Sequence, residues 1–134
     1  MINKHIDIVE TIDLAASIVT FRTDGIFQVE IKNVDREIIE EDIRELTIEI
    51  GKMGGGKTYP VLIIIKEWNT IHKSASQYAA TEEAGIYTKA NAIIVTSFAI
   101  RVSTNFFITI FKPIRPTKMF NSEILAVEWL KSLC

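Results

Sequence analysis

Tyr59-Pro60-Val61-Leu62-Ile63-Ile64-Ile65 is the stretch on which the fold turns. Its last five residues are all apolar and do not alternate with polar ones, so neither side of an extended chain here can face water. Such a run suits a central strand covered on both faces, as in parallel and mixed sheets flanked by helices.

Upstream, the apolar period lengthens to that of a helix. Ile39, Ile43, Leu46 and Ile50 recur at i, i+4, i+7 and i+11, with Glu37, Glu40, Glu41, Arg44, Glu45 and Glu49 on the remaining arc. Asp35 is the expected N-cap, and Gly51 with Gly54, Gly55 and Gly56 is expected to end the helix. Further upstream, Ile18–Arg22 and Ile26–Lys32 read as two strands turned at Asp24-Gly25, a dipeptide that supplies positive φ angles. In the second strand Phe27, Val29 and Ile31 alternate with Gln28, Glu30 and Lys32, so one face is buried and the other wet.

Downstream, a helix is expected to begin near Lys73 or Ser74. Ala92–Thr96 reads as a second unbroken apolar strand, and Ser97 as the cap of a helix that Pro113 terminates. Thr117–Phe120 reads as a short strand. Ser122 then caps a last helix with Leu125, Trp129 and Leu133 on one side. A hairpin followed by helix–strand–helix–strand–helix–strand–helix predicts an α/β fold: a mixed central sheet with an amino-terminal hairpin, right-handed parallel crossovers and about four helices packed on it.

The chain has 134 residues, 48% apolar and 24% charged, which suits a single domain over residues 1–134 with its own core. A net charge of −2 gives no field that would gather nucleic acid, although acids crowd Asp35–Glu49 while Lys89, Arg101, Lys112, Arg115, Lys118 and Lys131 make the last third basic. Cys134 is the only cysteine, so no internal disulfide or cysteine metal cage can form, and a reducing cytoplasm fits best. The amino terminus has no apolar segment of secretory type. Ala92–Phe111 imitates a membrane span, but Arg101 near its middle would cost about 2.5–3.5 kcal/mol on insertion scales.

Gly51-Lys52-Met53-Gly54-Gly55-Gly56-Lys57-Thr58 matches the phosphate-loop pattern G-x-x-x-x-G-K-[ST] letter for letter. That chemistry needs a strand entering and a helix leaving, so that the amides at the helix start face the phosphates. Here a helix enters and a strand leaves, and the loop meets the negative end of the helix dipole. A glycine-rich turn is the expectation.

His5 and His72 lie far apart with no cysteine or i, i+4 companion, so no metal site is expected. Glu82-Glu83 is expected on a solvated helix face, where adjacent side chains diverge by about 100°. Ser74 and Ser76 fall at a helix start, where a hydroxyl caps free amides and the dipole would favour a phosphate. No Gly-x-Ser-x-Gly elbow is present. No catalytic residue and no cofactor are expected.

The Ser97–Phe111 helix carries Ala99, Val102, Phe106 and Ile110 as one stripe, and Ile100, Phe107 and Phe111 widen its apolar arc to about half the circumference. That is wider than one sheet contact needs. Either neighbouring helices or the Pro113–Pro116 loop cover the excess, or Ile100, Phe107 and Phe111, rimmed by Lys112, Arg115 and Lys118, form a partner or lipid surface.

From Tyr59 to Leu130 the chain resembles the STAS-like, SpoIIAA-like domains of bacteria, in particular a subgroup of unknown function. The resemblance rests on Tyr59-Pro60-Val61-Leu62-Ile63, Tyr78-Ala79-Ala80-Thr81-Glu82-Glu83, Asn105-Phe106-Phe107, Lys112-Pro113 with Pro116-Thr117-Lys118, and Ala126-Val127-Glu128-Trp129-Leu130. The hairpin and first helix agree in order only. In anti-sigma-factor antagonists of that fold, an Asp-Ser pair begins the helix after the central strand, and its serine is phosphorylated to control partner binding. The resemblance places Lys73 at that position, with Ser74 one residue on as the candidate regulatory phosphosite. It implies a non-enzymatic regulatory or protein-interaction domain that meets its partner through the third-helix surface or the Lys73–Ser76 helix start. Related Sec14-type carriers imply the alternative, a binder of lipid or another apolar ligand.

Overall fold

The computed structural model describes residues 8–66 and 70–133; His5 and Cys134 lie outside them. Strands β1 (Ile8–Asp13), β2 (Ser17–Arg22) and β3 (Phe27–Ile31) precede helix α1 (Glu40–Met53). Then come β4 (Tyr59–Ile65), α2 (Lys73–Ala79), β5 (Thr88–Val95), α3 (Phe98–Phe106), a π-helical turn (Phe107–Phe111), β6 (Thr117–Phe120) and α4 (Glu123–Ser132). The six strands lie side by side in chain order. β1, β2 and β3 pair antiparallel, and β3 to β6 pair parallel. Right-handed crossovers between sequential parallel neighbours bring α1, α2 and α3 to one face of the sheet. α4 covers the other face. This is the α/β class expected, with its hairpin, its parallel crossovers and its four helices.

The period of two along the strands sorts their side chains between these faces. On the crossover face, Val19, Phe27, Val29 and Val61 pack with Ile50 of α1, and Ile93 and Val95 pack with Ile100 of α3. On the opposite face, Ile26, Leu62, Ala90, Ala92 and Ile94 meet Ala126 and Leu130 of α4. Leu62 and Ile93 thus lie in different cores, which is why β4 and β5 have no wet face. The hairpin turn forms as expected, with Gly25 at φ 82° and the Arg22 amide donating to the Ile26 carbonyl at 3.0 Å.

Several local expectations are corrected. β1 adds a third antiparallel strand before the hairpin; most of its side chains are exposed, so no buried alternation marked it, and backbone pairing with β2 holds it. Lys32 ties the β1–β2 turn down by pairing with Asp13 and donating to the Leu14 carbonyl at 2.7 Å.

α1 starts at Glu40, and Asp35 does not cap it. Ile38 is drawn into an extended parallel bridge with Ile71: its amide donates to the Thr70 carbonyl at 2.8 Å, and the His72 amide donates back to the Ile38 carbonyl at 2.9 Å. The helix can begin only after that bridge. Asp42 then accepts from the Ile39 amide at 2.8 Å and holds Arg36 through two bonds of 2.7 and 2.8 Å. These bonds from Arg36 hold the Asp42 carboxyl below the usual carboxylate range, against the opposing effect of burial.

At the other end, the glycine run does what a turn requires. Gly51 lies inside α1 against Tyr87, where a Cβ would fall 2.3 Å from Cε2 of the ring. The Gly54 amide donates to the Ile50 carbonyl at 3.0 Å, and Gly55 and Gly56 take φ of 65° and 79°. A helix enters the Gly51–Thr58 stretch and a strand leaves it, the reverse of a phosphate cradle.

α4 is turned about 100° from the expected side. Ala126 and Leu130 are fully buried, Leu125 and Leu133 are exposed, and Trp129 packs at the flank with its ring 5.7 Å from that of Phe120. Ser122 caps this helix as expected, accepting from the Leu125 amide at 3.3 Å.

Candidate functional site

α3 has apolar residues on both sides, and its contact with β5 decides which side turns inward. Ile100 packs on Ile93 and Val95, flanked by Ile63, Ile65 and Met119, and Thr104 is buried one turn later. Ile100 is therefore core, which corrects its assignment to a partner surface. At about 100° per residue, Phe98, Val102 and Phe106 lie on the opposite side of the helix. Phe98 is 80% exposed, and Val102, Phe106 and Ile110 are each more than half exposed. The stripe of Val102, Phe106 and Ile110 faces solvent; of Ile100, Phe107 and Phe111, expected either to be covered or to form a partner surface, the first is buried and the other two are half-buried.

The π turn keeps that outward stripe straight. Four residues advance an α-helix by about 400°, so an i, i+4 row drifts about 40° per step. The wider π turn opposes this drift and keeps Ile110 near the line of Val102 and Phe106. On its inner side Phe107 and Phe111 are half-buried and stacked, with ring centres 5.9 Å apart, and Phe106 meets Phe111 edge-on at 6.3 Å. Lys112 ends the turn in the left-handed region, at φ 54°, directly before Pro113. Lys112 and Lys118 are exposed, and Lys118 lies 5.5 Å over the Phe120 ring. Residues 84–122 hold Lys89, Arg101, Lys112, Arg115 and Lys118 and no acid at all.

Behind the π turn lies an apolar cleft of about 160 Å³, between α1, the crossover face of the sheet and the 113–115 loop. Of the expected surface residues, Phe107 and Arg115 line this cleft, and Ile100, Phe111 and Lys112 do not. Arg115 donates from Nε to the Gly85 carbonyl at 2.9 Å, and the Ile114 amide donates to the Ala80 carbonyl at 3.2 Å, fastening the loop to the turn before β5. Thr117 donates to the Arg115 carbonyl at 3.0 Å and accepts from Asn91 Nδ2 at 3.4 Å. Neither the cleft nor the π turn carries a sequence signature; only the fold brings these segments together.

The start of α2 differs from expectation in its cap. His72, not a serine, is the N-cap, and its Nδ1 accepts from the Ser74 amide at 3.1 Å. The same nitrogen meets the Ser74 hydroxyl at 2.8 Å, leaving Ser74 half-buried in the first turn with its oxygen engaged. Lys73 is exposed beside it, and Ser76 donates its amide to the His72 carbonyl at 3.2 Å.

Glu82-Glu83 lies in turns between α2 and β5 rather than on a helix. Glu83 accepts from Tyr78 at 2.8 Å and pairs with Arg44 at 2.5 Å. Arg44 also reaches Glu40 at 2.6 Å and lies 4.3 Å over the Tyr78 ring. Burial, then the hydrogen bond to Glu83, raises the Tyr78 hydroxyl above its usual range. This cluster ties α1 to the α2–β5 turn along an open groove. Among the described residues no group of three or more His, Cys, Asp or Glu converges as metal ligands would. No helix among them is long and apolar enough to cross a membrane.

A six-stranded mixed sheet with an amino-terminal antiparallel hairpin, parallel crossovers and four helices is the architecture of the SpoIIAA-like fold. The chain is similar to an uncharacterized protein of the DUF3478 family from Shewanella loihica PV-4 that has this fold, with 17% identity over 97% of this chain and 98% of that one, and a TM-score of 0.52. Residues 20–134 match the domain of unknown function DUF7793, and the chain belongs to that family. A protein with unknown function from Arthrobacter sp. FB24 is 24% identical over 84% of this chain and 97% of its own, with a TM-score of 0.29. No curated protein matches the chain.

Proposed function

We propose that this STAS-like domain is a non-enzymatic regulatory module that works in the cytoplasm by binding another protein, and that it does so through the outward face of α3 and the π turn. The observation that supports this is the exposed row Phe98, Val102, Phe106 and Ile110. A continuous apolar row on a helix already anchored by its other side is what a partner would cover. The row lies in a stretch of sequence, residues 84–122, that carries no acid; with Arg101 next to Val102 and Lys112 just after Ile110, this favours a partner whose rim is acidic. Arg44, Tyr78 and Glu83, the ionisable side chains that cluster along the open groove, interact with one another, which suits a structural role.

The test is co-purification with wild type and with V102E/F106E, which changes only exposed positions. A partner retained by wild type and by E128Q, but lost from V102E/F106E, is the expected result. A partner retained equally by all three chains rules this surface out.

The carrier reading fits less well. Pockets for organic ligands commonly measure about 300–1,000 Å³. The cleft beside the π turn, at about 160 Å³, is too small for a lipid chain and its headgroup. The groove along α1, at about 460 Å³, is large enough but is open and lined by Arg44, Lys52, Tyr78 and Glu83, which suits no apolar chain.

A further inference from the structure

We infer that the cleft behind the π turn is a binding site for a small organic carboxylate, with an apolar body about the size of a benzene ring and Arg115 as its anion partner. This goes beyond the partner-binding reading and does not depend on it, because Phe107 lines the cleft and none of Phe98, Val102, Phe106 and Ile110, which form the partner face, does.

Size sets the first limit. A dry cavity of about 150 Å³ lined by Leu, Ile and Phe is large enough to bind benzene. The cleft here, about 160 Å³, is walled by side chains of the same kind, including Ile43, Leu46, Ile50, Ile93 and Phe107. A ring or a chain of about six carbons is what such a space accepts.

Charge sets the second limit. Arg115 is half-buried where it lines this space, and none of the described residues that line it is acidic. Among the described residues no carboxylate forms an ion pair with Arg115, whose one hydrogen bond there uses Nε. Gly85, which accepts that bond, holds the side chain close: a Cβ at Gly85 would lie 3.1 Å from Arg115 Cγ. The guanidinium is thereby fixed by one edge, and its two terminal nitrogens remain for a planar two-oxygen acceptor. A half-buried cation with apolar walls and no counter-charge is balanced by one negative charge. A phosphate ester at neutral pH brings close to two, and among the described residues that line the cleft there is no second cation to meet the excess. The bonds linking Asn91, Thr117 and the Arg115 carbonyl keep the polar end of the cleft in place.

The experiment is an amide NMR titration of the full chain with benzoate, hexanoate, benzyl alcohol and inorganic phosphate. Saturable shifts at Gly85, Thr88, Asn91 and Thr117 are expected with the two carboxylates, weaker ones with benzyl alcohol and none with phosphate. R115Q is expected to weaken benzoate by about tenfold or more, the loss of one charge-assisted contact, and to leave benzyl alcohol unchanged. A79L, which fills the cleft wall, is expected to abolish binding of both. Equal affinity of wild type for benzoate and benzyl alcohol overturns the inference. So do benzoate shifts absent from these residues, or tighter binding of phosphate. The wild-type comparison decides the matter even if R115Q fails to fold.

Discussion

Phe98 and Ile100 are two residues apart on α3 and face opposite ways: the first is 80% exposed and the second 5%. Two residues turn a helix by about 200°, so fixing Ile100 against Ile93 and Val95 leaves Phe98 in water. The consequence is a sharp contrast in stability. Ile100→Ala is expected to cost about 2–4 kcal/mol, as for other buried aliphatic truncations, and Phe98→Ala less than about 0.5 kcal/mol. Urea unfolding of the two variants checks this.

Gly51 and Tyr87 make a second testable contact. Glycine to alanine inside a helix ordinarily gains about 0.5–1 kcal/mol. At Gly51 the new Cβ would sit 2.3 Å from the Tyr87 ring, so Gly51→Ala is expected to lower stability by about 1–3 kcal/mol. In a Tyr87→Leu background the same change is expected to cost much less. Thermal unfolding of the double-mutant cycle measures the difference.

Arg22 is buried at 2% exposure, and Asp24 holds it through bonds of 2.7 and 3.1 Å. Burial pushes the Asp24 carboxyl up, but the hydrogen bonds and charge of Arg22, with Lys131 and the Ile26 amide, outweigh it and leave the group below its ordinary value. A carboxyl lowered in the folded state stabilises fully above its unfolded value, near 3.8, and that contribution fades as pH falls through the lower folded value. Asp24→Asn is therefore expected to flatten part of the acid limb of a stability–pH curve. Asp24→Ala at neutral pH is expected to cost about 2 kcal/mol, less than breaking a fully buried pair.

The α2 cap separates the roles of two neighbours. His72→Ala removes the acceptor for the Ser74 amide and is expected to cost about 0.5–2 kcal/mol. Ser74→Ala leaves that acceptor in place and is expected to cost less than about 0.5 kcal/mol. Chemical denaturation distinguishes them, and a larger loss for Ser74→Ala would contradict the assignment of His72 as the cap.

What the sequence made legible, and what it did not, has a physical pattern. The unbroken runs in β4 and β5, the Asp24-Gly25 turn and the Ser122 cap are local signals, and each has its expected place. Phe27 and Gln28 also sort correctly, because alternation contrasts polar with apolar. α3 offers no such contrast on Phe98, Ile100, Val102, Phe106 and Phe107, so its rotation is set by β5, a contact the local pattern does not encode. α4 fails for the same reason: Ile124, Leu125, Ala126, Val127, Trp129 and Leu130 surround most of it, and small Ala126 wins the close approach to the sheet. β1 gave no alternation because its edge position buries little. His72, the cap, is tied through its amide to Ile38 in the Ile38–Ile71 bridge, a long-range contact that the local sequence does not encode.

The most direct test of the proposed partner face is photo-crosslinking in cells from a benzophenone side chain placed in turn at Phe98, Phe106 and, as a control on α4, Leu125. The same adduct from Phe98 and Phe106, absent from Leu125 and lost when Val102→Glu is added, is the expected result. Adducts of equal yield from all three positions, or adducts unaffected by Val102→Glu, would contradict it.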